Sequence, residues 1–367
     1  MISKLFISGI VLLYLFTETV HAQSVRFHYE SSSTSVYFRQ LPNAAMEATG
    51  KNFMMSSGNN SAAHLNPAVL AQSAGYTLEF SGLNHDNSFR EKNDSFLGIT
   101  VPVYSRLTIG ASYYSIKYNT IITENHTRYH IRCFSVRASY KLFNHTSIGF
   151  NLNSIRDKYS VYKITIVYSD FGIFYKRPLE AIKWLDSFSV GFSVTNVAKS
   201  KLTVKEFDTV LDKKYPFPAL AHTGIALSGS LESVTEKLKL KKLSWTAAIE
   251  YQDDLVSDIY SGIRLGAETS LYELLKLRCG YYRILRYNDL DDIEKKYVKN
   301  YLADFTFGMG IYLPVSRILE NNFPIEFSLD FIVNGAPHTS KDNDKQMISL
   351  FGDNRYYEFQ ITAVWKR

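Results

Sequence analysis

From Tyr76 to Trp365 the chain is a succession of runs in which apolar and polar residues alternate, each closed by turn residues. Phe188, Val190, Phe192 and Val194 alternate with Ser189, Gly191, Ser193 and Thr195. Trp245, Ala247, Ile249 and Tyr251 alternate with Ser244, Thr246, Ala248 and Glu250. Phe305, Phe307, Met309 and Ile311 do the same with Asp304, Thr306, Gly308 and Gly310, as do Ile325, Phe327, Leu329 and Phe331 with Glu326, Ser328 and Asp330. A period of two sends successive side chains to opposite faces of a strand, so each run has one dry and one wet side. The pattern predicts an all-β chain of about fourteen antiparallel strands, an even number with segments near the ~10 residues of a transmembrane barrel. A β-sandwich gives the same alternation.

Two features lean toward a barrel. Runs such as Leu107 to Tyr118 and Asp304 to Leu313 are nearer the length needed to cross a bilayer on a tilt than the usual globular strand. The connections Tyr104-Ser105-Arg106 and Phe143-Asn144-His145 are tight, while Lys199 to Phe217, Ile284 to Tyr301 and Asn334 to Asn354 are long and charged. Short turns on one side and long loops on the other are the expectation for such a barrel. The final run places Tyr357, Phe359, Ile361, Ala363 and Trp365 opposite Glu358, Gln360 and Thr362. Pairing it with the first strand would remove both sheet edges, which hydrocarbon does not tolerate.

Ahead of the strands the pattern changes. Ala48 to Gln72 is built of small and amide residues, is broken by Gly50 and Gly58, and ends on Asn66-Pro67-Ala68, where proline biases Asn66 away from the helical region. It reads as a compact plug inside the sheet. Residues 1–22 have a short basic start, an apolar run from Leu5 to Phe16 and a small residue at Ala22, the pattern of a secretory signal. The expected divisions are a signal peptide at 1–22, an N-terminal extension with the plug at 23–75, and the barrel at 76–367.

Composition adds to this. Aromatics make up 14% of the chain, with Tyr 26 and Phe 24 against Trp 3, which suits strands and interface girdles. The net charge of +6 is spread along the sequence and not concentrated in one segment, so no nucleic-acid footprint is expected. Cys133 alternates with Ser135, Arg137 and Ser139, whereas Cys279 alternates with Leu275, Leu277 and Tyr281. The two thiols are therefore expected on opposite faces, unbridged.

No catalytic constellation emerges, and no cofactor is expected. Gly50-Lys51 lacks the rest of a phosphate loop. His126 and His130 have no partner at metal-ligand spacing. Asn288 to Asp292 lacks the glycine and terminal glutamate of a calcium loop and reads as a charged external loop. The informative polar residues are those whose parity turns them inward: Arg137, Glu250, Arg264, Glu268, Arg278, Asp304, Glu326 and Asp330. Buried charges need partners, so these are expected to pair and to anchor the plug. The functional alternative is that Arg137, Arg264 or Arg278 receives a carboxylate head group.

Several segments together resemble a known family. Ala48-Thr49-Gly50, Phe53 and Ser61-Ala62-Ala63-His64-Leu65-Asn66-Pro67-Ala68 are similar to the plug motif of the FadL-like outer-membrane barrels, particularly the branch holding the PorV/PorQ proteins and the spirochaete UPF0164 group. Asp170 to Tyr175, Gly191 to Asn196, Pro216-Phe217-Pro218 leading to Gly224, and Leu265 to Glu268 before Leu277 to Tyr281 follow that branch's order. Gly58-Asn59-Asn60 stands where relatives often have an acidic pair, and Leu65 where they often have an aromatic. The resemblance implies a 14-stranded barrel with an N-terminal hatch in a bacterial outer membrane, surrounded by outer-membrane lipid and inserted by the outer-membrane insertion machinery, which the terminal strand resembles a substrate of. It implies passive passage of hydrophobic molecules such as long-chain fatty acids. The alternatives are a secretion partner barrel that docks cargo or machinery, as PorV-like relatives are thought to do, and a structural or adhesin surface barrel.

Overall fold

The computed structural model describes residues 43–87, 90–122, 125–159, 162–179, 184–206, 209–230, 243–256, 261–272, 274–285, 303–313, 325–334 and 357–366. The expected signal at 1–22, the extension before Asn43, the acidic stretch 288–292 and most of the two last long loops lie outside the described residues, as do the side chains of His126 and Asp304.

One short helix, α1 (Ala44–Ala48), precedes the strands. These are β1 (Gly75–Asn87), β2 (Arg90–Pro102), β3 (Leu107–Ile122), β4 (Asn125–Phe143), β5 (Thr146–Tyr159), β6 (Tyr162–Pro178), β7 (Ser187–Val194), β8 (Lys201–Glu206), β9 (Thr209–Pro216) and β10 (Leu220–Ser230). After them come β11 (Leu243–Asp254), β12 (Gly262–Leu271), β13 (Leu275–Ile284), β14 (Ala303–Leu313), β15 (Ile325–Asn334) and β16 (Tyr357–Lys366). All pairings are antiparallel. Fourteen strands form a closed ring, with β8 and β9 standing outside it. The seam is β1 on β16, in register from Gly75 opposite Lys366 to Asn84 opposite Tyr357.

The faces decide between sandwich and barrel. Phe134, Leu152 and Val167 are 53%, 50% and 54% exposed, and Ile249, Leu265, Phe307 and Met309 share their outward side. Arg137, Asn151, Asp170 and Glu250, on the other face, are buried at 1% or less. A soluble sandwich would bury the first set and wet the second, so an apolar exterior around a polar interior is that of a barrel facing hydrocarbon. Among the described residues no helix is long and apolar enough to cross a membrane.

Two expectations are corrected. Lys199 to Phe217 is not an open loop but mostly the hairpin β8–β9, whose first strand adds to the far end of β6, with Thr203 opposite Thr165 and Glu206 opposite Tyr162. Turn lengths do not separate cleanly by side either. On the side of the expected long loops only two residues lie between β1 and β2, β3 and β4, and β5 and β6, while 231–242 and 314–324 lie on the side of the tight turns. The reason is that β3, β4 and β6 run on for 16, 19 and 17 residues, against 8 in β7 and 10 in β12, so strand replaces loop on one flank. The barrel wall is tall from β1 to β6 and low elsewhere.

Candidate functional site

The interior has two tiers, and the lower holds residues 43–72. This segment cannot form strand because its amides fold it locally. The Asn43 side chain accepts from Met46 N (2.8 Å) at the start of α1, Asn52 from Met54 N (2.9 Å) before a 3-10 turn at Phe53–Ser56, and Asn66 from Ala68 N (3.0 Å) before another at Pro67–Gln72. Asn66 has φ −138 and ψ 102, the extended conformation that the following proline favours. Each cap uses the amide oxygen; the amide nitrogens of Asn52 and Asn66 then reach the wall, while that of Asn43 donates to Ser61 Oγ within the segment. Asn66 Nδ2 donates to the carbonyls of Ile173 and Phe192 (3.3 Å each), which joins the cap to β6 and β7.

The wall answers with inward polar groups, three strands or more at a time. On β1, Glu79 accepts from Ser61 Oγ (2.6 Å), Ser61 N (3.1 Å) and Asn60 N. On β4, Arg137 donates through Nη1 to the Asn60 carbonyl (2.8 Å) and to its side-chain oxygen, while Asn60 Nδ2 donates to the Ile99 carbonyl (2.6 Å). Ser139 and Ser147 both donate to the Ala68 carbonyl (3.0 and 2.9 Å), Asn151 to that of Ala63 (2.8 Å) and Ser193 to that of Leu65 (2.6 Å). Across the ring, Glu250 accepts from Phe53 N (3.0 Å), His222 Nδ1 lies 2.9 Å from its other oxygen, and Arg264 donates both to Glu250 (2.9 Å) and to the Lys51 carbonyl (3.1 Å). Thr306 donates to the Ala48 carbonyl and accepts from Gly50 N, both at 3.0 Å.

Close backbone approach depends on three glycines in particular. Gly50 has φ +69, and a Cβ on the facing Gly280 would run into the Gly50 nitrogen. A Cβ on Gly172 would run into Asn66 Oδ1.

Of the eight inward charges expected from parity, Arg137, Glu250 and Arg264 bind the segment directly. Arg278 instead bridges wall to wall, with Nε donating to Glu268 (2.7 Å) and Nη1 to Asp330 (2.6 Å). Glu326 is buried on β15. Asp304 stands opposite Tyr282 in the β13–β14 register. Gly50, Phe53, Asn66, Pro67 and Ala68 all lie inside the ring, and Phe53 packs edge-on to His222 (centroids 6.4 Å apart). Sequence reasoning missed Glu79, Asn60 and Asp170. The signal was present: Glu79 lies between Thr77 and Ser81 on the polar parity of β1. His64, within the segment, has its pKa pushed down to about 3 by burial first, then by the charges of Arg137 and His222.

The upper tier is of another kind. One rung runs Phe96, Tyr114, Cys133, Ile155, Ile166 across β2 to β6 by direct register, and its members are all buried. The rung beyond it runs Asp94, Ile116, Ile131, Asp157, Ile164 and is also buried, and Tyr168 packs on Phe217 with centroids 5.0 Å apart. Above the polar clamp the inner face of the tall flank is thus mainly apolar, interrupted by the buried carboxylates of Asp94 and Asp157, which the expectation of a uniformly small or polar lumen did not contain. Cys133 belongs to this tier while Cys279 is exposed on the outer face, and both thiols are free, as parity required. Among the described residues no group of three His, Cys, Asp or Glu is placed to hold a metal ion.

No family model matches the chain, and no curated protein matches it. Among solved structures, the chain is similar to a FadL homologue of Pseudomonas aeruginosa, at 12% identity over 89% of this chain and 98% of that one, with a TM-score of 0.46. It is also similar to the toluene transporter TbuX of Ralstonia pickettii, at 12% identity over 88% and 96% with a TM-score of 0.49. The toluene transporter TodX of Pseudomonas putida gives 13% identity over 88% and 96%, with a TM-score of 0.45.

Proposed function

We propose that the protein is a passive channel for hydrophobic compounds in a bacterial outer membrane, with residues 43–72 as its plug. The observation that carries this reading is the vertical order inside the barrel: a mainly apolar tier on the tall flank, led by the rung from Phe96 to Ile166, over a polar clamp that holds a separate segment by its backbone. Such a tier gives an apolar solute surface to partition onto, and the segment below closes the way on. Passage then requires the segment to shift, and its contacts suit that. They are mostly individual hydrogen bonds, each worth about 1 kcal/mol net and about 1.5 to 3 where Arg137, Glu79 or Glu250 takes part, beside a small apolar contact of Phe53, Met54 and Leu70 with Phe174, Ala226 and Ala248.

Long-chain fatty acids are the substrate class favoured by the sequence resemblance. The arginines of the lumen are assigned to anchoring and not to head-group capture, since Arg137, Arg264 and Arg278 are each engaged by protein acceptors. The test is uptake of a labelled long-chain fatty acid and of toluene into liposomes carrying the folded protein, compared with a version lacking Ala48 to Gln72. Faster uptake of either compound without the segment supports the reading. Equal, background-level uptake by both versions overturns it.

A further inference from the structure

The outer face of the tall flank changes chemistry part-way up. On β4, β5 and β6 the exposed apolar belt reaches Phe134, Leu152 and Val167. One outward step beyond the rung of Phe134, Ser154 and Val167 come Arg132 on β4 and Arg156 on β5, which the register sets directly opposite one another. One step further, Lys117, His130, Lys158 and Lys163 form a rung across β3, β4, β5 and β6, each facing the next. Lys117, Arg132, Arg156, Lys158 and Lys163 are exposed. These residues, scattered along the sequence, become a single basic band only through strand register.

Like charges directly opposite one another on neighbouring strands are destabilising unless something neutralises them. Among the described residues no carboxylate forms an ion pair with Lys117, Arg132, Arg156 or Lys158. Arg132 is held in place by donating from Nε to His130 Nε2 (3.0 Å), and Ser115 Oγ lies 3.1 Å from the same nitrogen. The band begins one outward step above the belt, about 7 Å along the strand. A lipid whose acyl chains lie along Phe134, Leu152 and Val167 would therefore present its phosphate at the height of Arg132 and Arg156. Guanidinium groups take phosphate oxygens in bidentate fashion, and basic side chains at a membrane surface attract anionic lipid.

We propose that this band is a binding site for phosphorylated, anionic head groups of the lipid leaflet that meets the tall flank of the barrel. The proposal rests on the bilayer-spanning reading of the fold, and it concerns the outside of the barrel, not the transport route.

The test uses the full-length chain folded in zwitterionic detergent, with lipid binding followed by native mass spectrometry. Phosphatidylglycerol should bind roughly tenfold more tightly than phosphatidylcholine, and the combined variant R132Q/R156Q/K158Q should lose that preference, with weakening of roughly tenfold or more. The control K176Q/R177Q, at the opposite rim, should behave as the parent. Added salt should weaken the parent's binding, since exposed charges are screened. Equal phosphatidylglycerol binding by parent and triple variant overturns the proposal. So does displacement of the lipid by inorganic phosphate at matching concentration, which would make this a free-anion site, or by a single-stranded oligonucleotide at lower concentration than lipid, which would make it a polyanion site. If the triple variant lacks the heat-modifiable mobility of a folded barrel, R132Q and R156Q alone carry the test, each expected to weaken binding roughly threefold and refuted by no change. A chain that stays monomeric without detergent would defeat the membrane reading itself, an outcome separate from equal lipid binding in detergent.

Discussion

Arg137 on β4 donates to the main-chain carbonyl of Asn60 at 2.8 Å, and Asn60 in turn donates from its side chain to the Ile99 carbonyl on β2. A guanidinium buried to 1% exposure thus has its partner in the segment that fills the ring, with Glu79 binding the next residue, Ser61, from β1. The clamp is built so that wall and segment satisfy each other's buried polar groups, and removing either leaves the other exposed to an apolar surrounding.

The first consequence concerns Arg137→Ala. Loss of this buried charged donor leaves the Asn60 carbonyl and side-chain oxygen without it, a cost of about 1 to 3 kcal/mol. The cost should fall on the seating of residues 43–72, so limited proteolysis is expected to cut within the segment while the barrel keeps its heat-modifiable mobility. A barrel that unfolds together with the segment would show that the two are one cooperative unit.

Gly172→Ala tests the close approach at Asn66. The new methyl would displace the Asn66 oxygen that caps Pro67–Gln72. Overpacking of this kind costs about 1 to 3 kcal/mol, and the expected readout is increased passage of a labelled solute in liposomes.

Acid should loosen the segment through His64. Its folded pKa of about 3 lies below its ordinary value, so above pH ~6.5 the residue is neutral in both states and contributes nothing. As pH falls from there toward 3, the released chain binds a proton that the seated one excludes. The seated state then loses about 2 kcal/mol by pH 5. Protease sensitivity of 43–72 measured at pH 7.5 and pH 5 should rise, and His64→Gln should flatten that difference.

The outer face can be checked by charge insertion. Arginine at Ile249 or Leu265 should destabilise the barrel by about 2 to 4 kcal/mol near the bilayer midplane, and at inward-facing Thr246 much less. Urea refolding titrations in lipid vesicles measure this, and equal tolerance at the three positions would contradict the assigned faces.

The thiols give an independent check of the same assignment. An apolar maleimide should label Cys279 in the folded protein and reach buried Cys133 only after unfolding.

Period-two alternation made the ring legible wherever one face is apolar and the other small or polar, as on β7, β11 and β14. It also located Arg137, Glu250, Arg264 and Arg278 on the inside, because an isolated charge on a polar parity is unambiguous. It failed where both faces change character along one strand. On β4, Ile131 and Cys133 point inward while His130 and Arg132 point outward, the reverse of Arg137 and Val136 a few residues on. A single template cannot follow that inversion, so the apolar upper tier and the β8–β9 hairpin were hidden. The pairing of Arg137 with Asn60 was illegible for another reason, since it joins residues 77 apart through a segment with no period of its own.

The inversion along β4 also settles how the molecule rides in its surroundings. Sliding the cylinder outward by a single side-chain step would lift Phe134, Leu152 and Val167 toward water, and sliding it inward would drag Arg132 and Arg156 into oil. Both displacements are penalised on the lofty flank, whereas among the described residues the shorter flank carries a single outward cation beyond its belt, Arg283, and so a weaker stop. Thinner or thicker bilayers should therefore be accommodated by leaning about the pinned flank, so that bilayer thickness governs the tilt of the cylinder more than its depth.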